Sequence, residues 1–163
     1  MTLTTDLSTQ KNLPLQAEPQ LRESCLGDHL RRYWTEISTP RGFVRLEDID
    51  PWMIGDDWKN CLLVELRSPL KSSILLAIGE NLVAESDRQM PGDVIAIYPA
   101  NSLVGLITSH LQVILSTRDC VVDEGTARHE GREILYHCTL LPLSSTGADI
   151  THVLAASNYE YAS

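Results

Sequence analysis

Three groups of side chains in this 163-residue chain could do chemistry. The first is the acidic set Asp48, Asp50, Asp56 and Asp57, just ahead of an apolar stretch. Carboxylates grouped this way can share proton-transfer work. A plainer role fits better: Asp48 or Asp50 can cap the helical turn that Pro51 starts, and the rest are solvated. The second group is His129, His137, Cys138 and Cys120, all carrying metal-ligating atoms. His137 and Cys138 are neighbours on a strand-like run, so they point to opposite faces and cannot hold one ion without a bulge. Cys138 is expected inward and His137 toward solvent. The third is His110, alone on the apolar face of a helical stretch, where a core or pocket-edge histidine hydrogen-bonded to backbone is expected.

No further reactive pattern emerges. Cys25, Cys61, Cys120 and Cys138 form no CxxC pair and match no zinc spacing, so small buried thiols in a reducing compartment are expected. The chain has no G-x-S-x-G, no HExxH and no phosphate-binding loop. No catalytic residue and no metal site is expected. A small enzyme is carried only because fold alone does not exclude one.

Charge narrows the partners. Lys plus Arg number 13 and Asp plus Glu 22, a net charge of −9. Nucleic acids and anionic membranes bind through clustered Lys and Arg, so neither is expected as a partner. No apolar run reaches the ~20 residues of a membrane span, and the N-terminus lacks the pattern of a signal peptide. A cytoplasmic location is expected.

The elements that must position these groups follow from periodicity. Residues 1–19 are polar and read as a flexible tail. A helix is expected over 20–38, with Leu26, Leu30, Tyr33, Trp34 and Ile37 on one face. It stops by Thr39-Pro40, because the residue before proline avoids helical geometry. Helical turns are expected from Leu46 to Trp58, then a hairpin of strands Cys61–Arg67 and Ser73–Ile78. Short helical turns follow over Glu80–Ser86 and Asp93–Tyr98, broken at Met90-Pro91-Gly92. One long helix is expected from Asn101 to Thr117, lined by Leu103, Leu106, Ile107, His110, Leu111 and Ile114. Three strands close the chain: Cys120–Arg128, Glu133–Leu143 with Ile134, Tyr136, Cys138 and Leu140 on one face, and Ile150–Ser157. Strands joined by hairpins, with helices between the two groups, imply an α+β fold: a five-stranded antiparallel sheet with helices on one face. Residues 39–158 would form this domain, and 159–163 a second tail.

The element order and several local motifs resemble PAS domains, in particular a single-domain bacterial subfamily of alphaproteobacterial type. The motifs are Tyr33-Trp34 with Pro40 and the Leu46-Glu47-Asp48-Ile49-Asp50-Pro51 step, Ile78-Gly79, Pro91-Gly92-Asp93 through Pro99, Leu140-Leu141-Pro142-Leu143-Ser144, and Gly147 with Val153-Leu154. Glu80 stands where the subfamily has Thr or Ser, and the second strand is the apolar run Ile74-Leu75-Leu76-Ala77-Ile78 rather than one bearing Tyr and Arg.

The resemblance implies a sensory or signalling regulator that works by protein–protein interaction, with a signalling kinase as one partner class and a second copy of the chain as another. The helix face Leu26, Leu30, Tyr33, Trp34 and Ile37 would pack against the chain's own sheet or form the dimer or partner interface, and both hold if two copies share the helix. A small-molecule sensor is the alternative, with a pocket between sheet and helices lined by Leu76, Ile78, Ile95, Tyr98, Ile107, His110, Tyr136 and Cys138. The apolar second strand implies an apolar ligand or a cavity filled by side chains. Some PAS domains hold haem through a histidine on the helix corresponding to that of His110, but a lone histidine is weak support, and no cofactor is required. The reactive cysteine motif of the flavin-binding branch is absent from the sequence.

Overall fold

A computed structural model describes residues 14–38, 42–83, 92–129 and 131–162. The expected tail over 1–13, the Thr39-Pro40 step, residues 84–91 and the side chain of Cys25 lie outside the described residues. Helix α1 spans Pro14–Ile37, α2 Pro51–Ile54, strand β1 Cys61–Glu65, β2 Ile74–Ile78, α3 Glu80–Val83, α4 Leu103–Thr108, α5 Leu111–Thr117, β3 Val121–His129, β4 Arg132–Leu143 and β5 His152–Tyr161. The five strands form one antiparallel sheet in the order β2-β1-β5-β4-β3. This is the α+β arrangement, a five-stranded antiparallel sheet with helices, that the element order implied. No described helix is long and apolar enough to cross a membrane.

Alternation along the strands feeds two apolar layers, one on each face of the sheet. Leu62, Val64, Leu75, Ile134, Tyr136, Cys138, Leu140, Val153 and Ala155 meet Leu82 of α3 and Leu103, Val104, Ile107, Leu111 and Ile114 of α4 and α5. The opposite set, Cys61, Leu141, Leu143, Leu154 and Ala156, meets Leu26 and Leu30 of α1. The long β4–β5 ladder, from Ile134↔Tyr161 to Leu143↔His152, is the spine both layers share.

Several expected boundaries move, for physical reasons. α1 begins at Pro14, a residue suited to a first helical position, so 14–19 is helix rather than tail. The long helix expected over 101–117 is two helices. Thr108 and Ser109 turn their hydroxyls onto the carbonyls of Val104 (2.9 Å) and Leu106 (2.6 Å), which competes with helix continuation. His110 then sits at φ −90°, ψ 1° as the N-cap of α5. α4 tolerates no side chain at Gly105, where a Cβ would lie 2.0 Å from the Pro99 carbonyl oxygen. β5 runs past Ser157 because β4 offers partners that far. Arg132 lies over the Tyr161 ring at 3.7 Å, and Tyr159 donates to the Asn81 carbonyl at 2.8 Å, so the expected second tail is strand as far as Tyr161.

The two sheet edges differ. β2 is covered by the segment leading to Val94: Leu75 N–H donates to Asp93 O at 2.9 Å and Ile95 N–H to Ser73 O at 2.9 Å. β3 is the other edge, and Arg128 N–H donates to Asn101 O at 2.9 Å.

Candidate functional site

The residues expected to line a ligand pocket fall into three positions. Ile95, Tyr98, Ile107, Tyr136 and Cys138 are buried in the helix-side layer, and Ile78 packs against it half-buried. Leu76 is a correction. It lies on the outer face of β2 and is 38% exposed, whereas its neighbour Leu75 is fully buried opposite Val64. In an apolar run of five residues, composition does not say which parity faces inward; the β-bulge between Leu63 and Val64 and the pairing to β1 decide it.

His110 joins a polar trio at the edge of that layer. Its Nε2 lies 2.9 Å from Asp123 Oδ2, and Tyr136 donates its hydroxyl to the same oxygen at 3.2 Å. The α5 N-cap position and the β3–β4 register together bring these groups to one place, since Asp123 stands opposite Cys138, two residues beyond Tyr136. Burial first, and the Asp123 charge second, push the Tyr136 hydroxyl up to about 12. The same two causes, in the same order, push the Cys138 thiol up to about 12. Burial, then Asp57, does likewise to Cys61. Both thiols are therefore protonated at neutral pH and poor nucleophiles. Among the described residues no three His, Cys, Asp or Glu side chains are grouped to hold a metal ion. Asp123 was not anticipated, because its partners become visible only once the β3–β4 register is known.

His137 and Cys138 do face opposite ways, but His137 is not turned to open solvent. It lines a crevice of about 210 Å³ with Gly27, Asp28, Arg31, Val122 and Thr139, where α1 crosses the sheet. Gly27 makes that crossing close: a Cβ there would lie 2.6 Å from Thr139 Oγ1. The side chain of His129 lies outside the described residues.

The aromatic stripe of α1 is placed against the chain's own sheet. Leu26 and Leu30 are buried among Leu141, Leu143, Leu154 and Ala156, and Tyr33, Trp34 and Ile37 pack there half-buried. Trp34 donates its indole N–H to the Pro142 carbonyl at 3.0 Å. Tyr33 donates to Asp48 O at 3.2 Å and accepts from Asp50 N–H at 2.8 Å. Apolar area of Leu26 and Leu30 is thereby removed from water within the chain, while Tyr33, Trp34 and Ile37 keep part of theirs in contact with it.

The acidic cluster divides by role. Of the two aspartates expected to cap, Asp50 is the one that caps α2, accepting from Trp52 N–H at 3.0 Å. Asp57 is held by His29 Nδ1. Within α2 only Ile54 turns inward, which leaves Trp52 91% and Met53 65% exposed. Pro51, Trp52, Gly55, Asp56 and Trp58 border an open groove of about 320 Å³. The exposure of Trp52 was not legible beforehand, because tryptophan beside an apolar strand reads as core.

No family model matches the chain, and no curated protein matches it. Among solved structures it is similar to the PAS domain of a protein from Colwellia psychrerythraea, at 12% identity over 60% of this chain and 82% of that one, with a TM-score of 0.44. It is similar to a sensory box sensor histidine kinase from Vibrio cholerae, at 12% identity over 64% of this chain and 85% of that one, TM-score 0.45. It is also similar to the PAS domain from Bordetella pertussis BvgS, at 13% identity over 83% of this chain and 87% of that one, TM-score 0.38.

Proposed function

We propose that this chain is a PAS-like sensory or signalling module that acts by binding another protein, with a signalling kinase as the partner class. The observation that carries this reading is the two-sided use of β4 and β5. Leu140, Val153 and Ala155 face the helices α3 to α5, while their neighbours Leu141, Leu154 and Ala156 face α1. Close-packed layers answer a disturbance by discrete repacking rather than by continuous deformation. A change on the helix side must therefore be accommodated by strands that also seat α1. The His110–Asp123–Tyr136 trio ties the α4–α5 junction to that sheet, so it is placed to hold one of two arrangements. An input shifts the balance only by its differential affinity for the two.

The test is hydrogen exchange on the Asp123→Asn variant, which weakens the trio without changing its shape. Faster exchange is expected in α4 and α5 and also in residues 26–37 of α1, on the far side of the sheet. If the first region responds and α1 does not, the two faces are uncoupled and the transmission reading fails.

A further inference from the structure

Trp52 is the most exposed large apolar side chain among the described residues, at 91%, and Met53 beside it follows at 65%. Tryptophan is costly to leave in water and is enriched where proteins bind one another. The turn that presents it is fixed at both ends. The Asp50 carboxylate caps it, Pro51 sets its first φ, and Gly55 closes it at φ +71° with its N–H bonded to Pro51 O. Ile54, buried beneath, pins the turn to the α1-side layer. A side chain displayed on a rigid turn loses little entropy when it is captured.

Charge says what captures it. Asp48, Asp50 and Asp56 stand exposed in the chain segment around this turn, and Asp56 borders the same groove as Trp52. Arg45 is occupied by Glu47 at 2.7 Å, and Lys59 lies 3.7 Å from Glu80. Among the described residues none of the three aspartates is paired with a lysine or arginine. An anionic lipid surface would be repelled by this collar. A second copy docking symmetrically would bring the same collar against itself, in a chain of net charge −9. We propose that the Trp52–Met53 turn is a docking knob for a basic amphipathic segment of a partner protein, one that sets lysine or arginine side chains around an apolar recess. The proposal rests on the protein-association reading above and names the partner's chemistry.

The test uses the full chain and a fluorescein-labelled 18-residue helical peptide of leucine and lysine, with a leucine–glutamate peptide as control, followed by anisotropy. The lysine peptide is expected to bind, at least tenfold more weakly to Trp52→Ala and more weakly still as salt rises. Asp48→Asn combined with Asp56→Asn is expected to weaken it too, whereas Glu124→Gln on the distant β3 leaves it unchanged. Trp52 contributes no core contact, so matched melting curves confirm that its variant is folded. Equal binding by Trp52→Ala overturns the proposal, as does equal binding of the glutamate peptide or an equal loss with Glu124→Gln. Uptake by phosphatidylcholine vesicles, or self-association, that depends on Trp52 while the lysine peptide fails to bind also overturns it, in favour of a lipid or a second copy. Failure of the peptide while Asp123→Asn still alters α1 removes this docking site and leaves the transmission reading standing.

Discussion

The indole N–H of Trp34 and the carbonyl oxygen of Pro142 meet at 3.0 Å across 108 positions of sequence, and this bond fixes α1 to the back of the sheet. Proline supplies no N–H to the ladder, so its carbonyl is the group β4 offers at that position. Trp34→Phe keeps most of the apolar contact and removes the donor. A loss of about 1 kcal/mol in urea unfolding is expected, the net worth of one such bond. Trp34→Ala should cost more, while light scattering shows the same oligomeric state as the parent chain. A change of oligomeric state in Trp34→Ala would return the α1 stripe to the role of an intermolecular interface.

The parity of β2 gives a second test. Leu75 is fully buried opposite Val64, and Leu76 is 38% exposed. Leu75→Ala should cost roughly 2–5 kcal/mol, the range for leucine truncation in a packed interior. Leu76→Ala should stay within about 1 kcal/mol. Denaturant midpoints of the two variants read the difference directly, and comparable losses would mean that the strand is paired one residue out of register.

These two residues also mark how far the sequence could be read. The order of elements, the antiparallel hairpins and a cap at Asp48 or Asp50 were legible, because each depends on neighbours within a few positions. The inward face of β4 was legible too, since Ile134, Tyr136, Cys138 and Leu140 alternate with a set that includes Glu133, His137 and Thr139. Leu75 and Leu76 were not separable, because a run apolar on both faces carries no period-two signal. The His110–Asp123–Tyr136 trio was half visible: His110 stood out, but Asp123 acquires meaning only through the β3–β4 register. The break of the helix at Ser109 was missed because a Thr-Ser pair inside an otherwise helical pattern reads as neutral until its hydroxyls turn back on the carbonyls. The placement of α1 against its own sheet follows from tertiary contacts that no local pattern encodes.

Gly27 offers a test of that placement. Alanine is the better helix former by about 1 kcal/mol, so helix propensity alone predicts a gain from Gly27→Ala. The added Cβ would lie 2.6 Å from the buried Thr139 Oγ1, closer than van der Waals contact allows. A net loss of about 1–3 kcal/mol is expected from overpacking. Thr139→Ala removes the clashing hydroxyl, so the double variant should be more stable than the sum of the single changes implies. Strict additivity would show that α1 does not approach β4 at this point.

His152 sets a pH dependence whose sign can be worked out. The imidazole is buried next to Thr151 Oγ1, 2.8 Å from its Nδ1. Burial disfavours the charged form and holds its pKa below the ordinary 6.5, while the Glu65 charge pulls weakly the other way. In the unfolded chain the ring takes up a proton near 6.5, and in the folded chain only at lower pH. Between those two points the unfolded state holds more protons, so stability falls as pH falls. The contribution is fully present above 6.5 and is lost as pH drops through the folded pKa. The other ionisable groups are common to the parent and to a His152→Gln variant. The parent is therefore expected to lose more unfolding free energy than His152→Gln between about pH 7 and pH 5, a window that brackets the ordinary histidine pKa. Parallel stability curves for the two proteins over that window would place His152 in water rather than under the sheet.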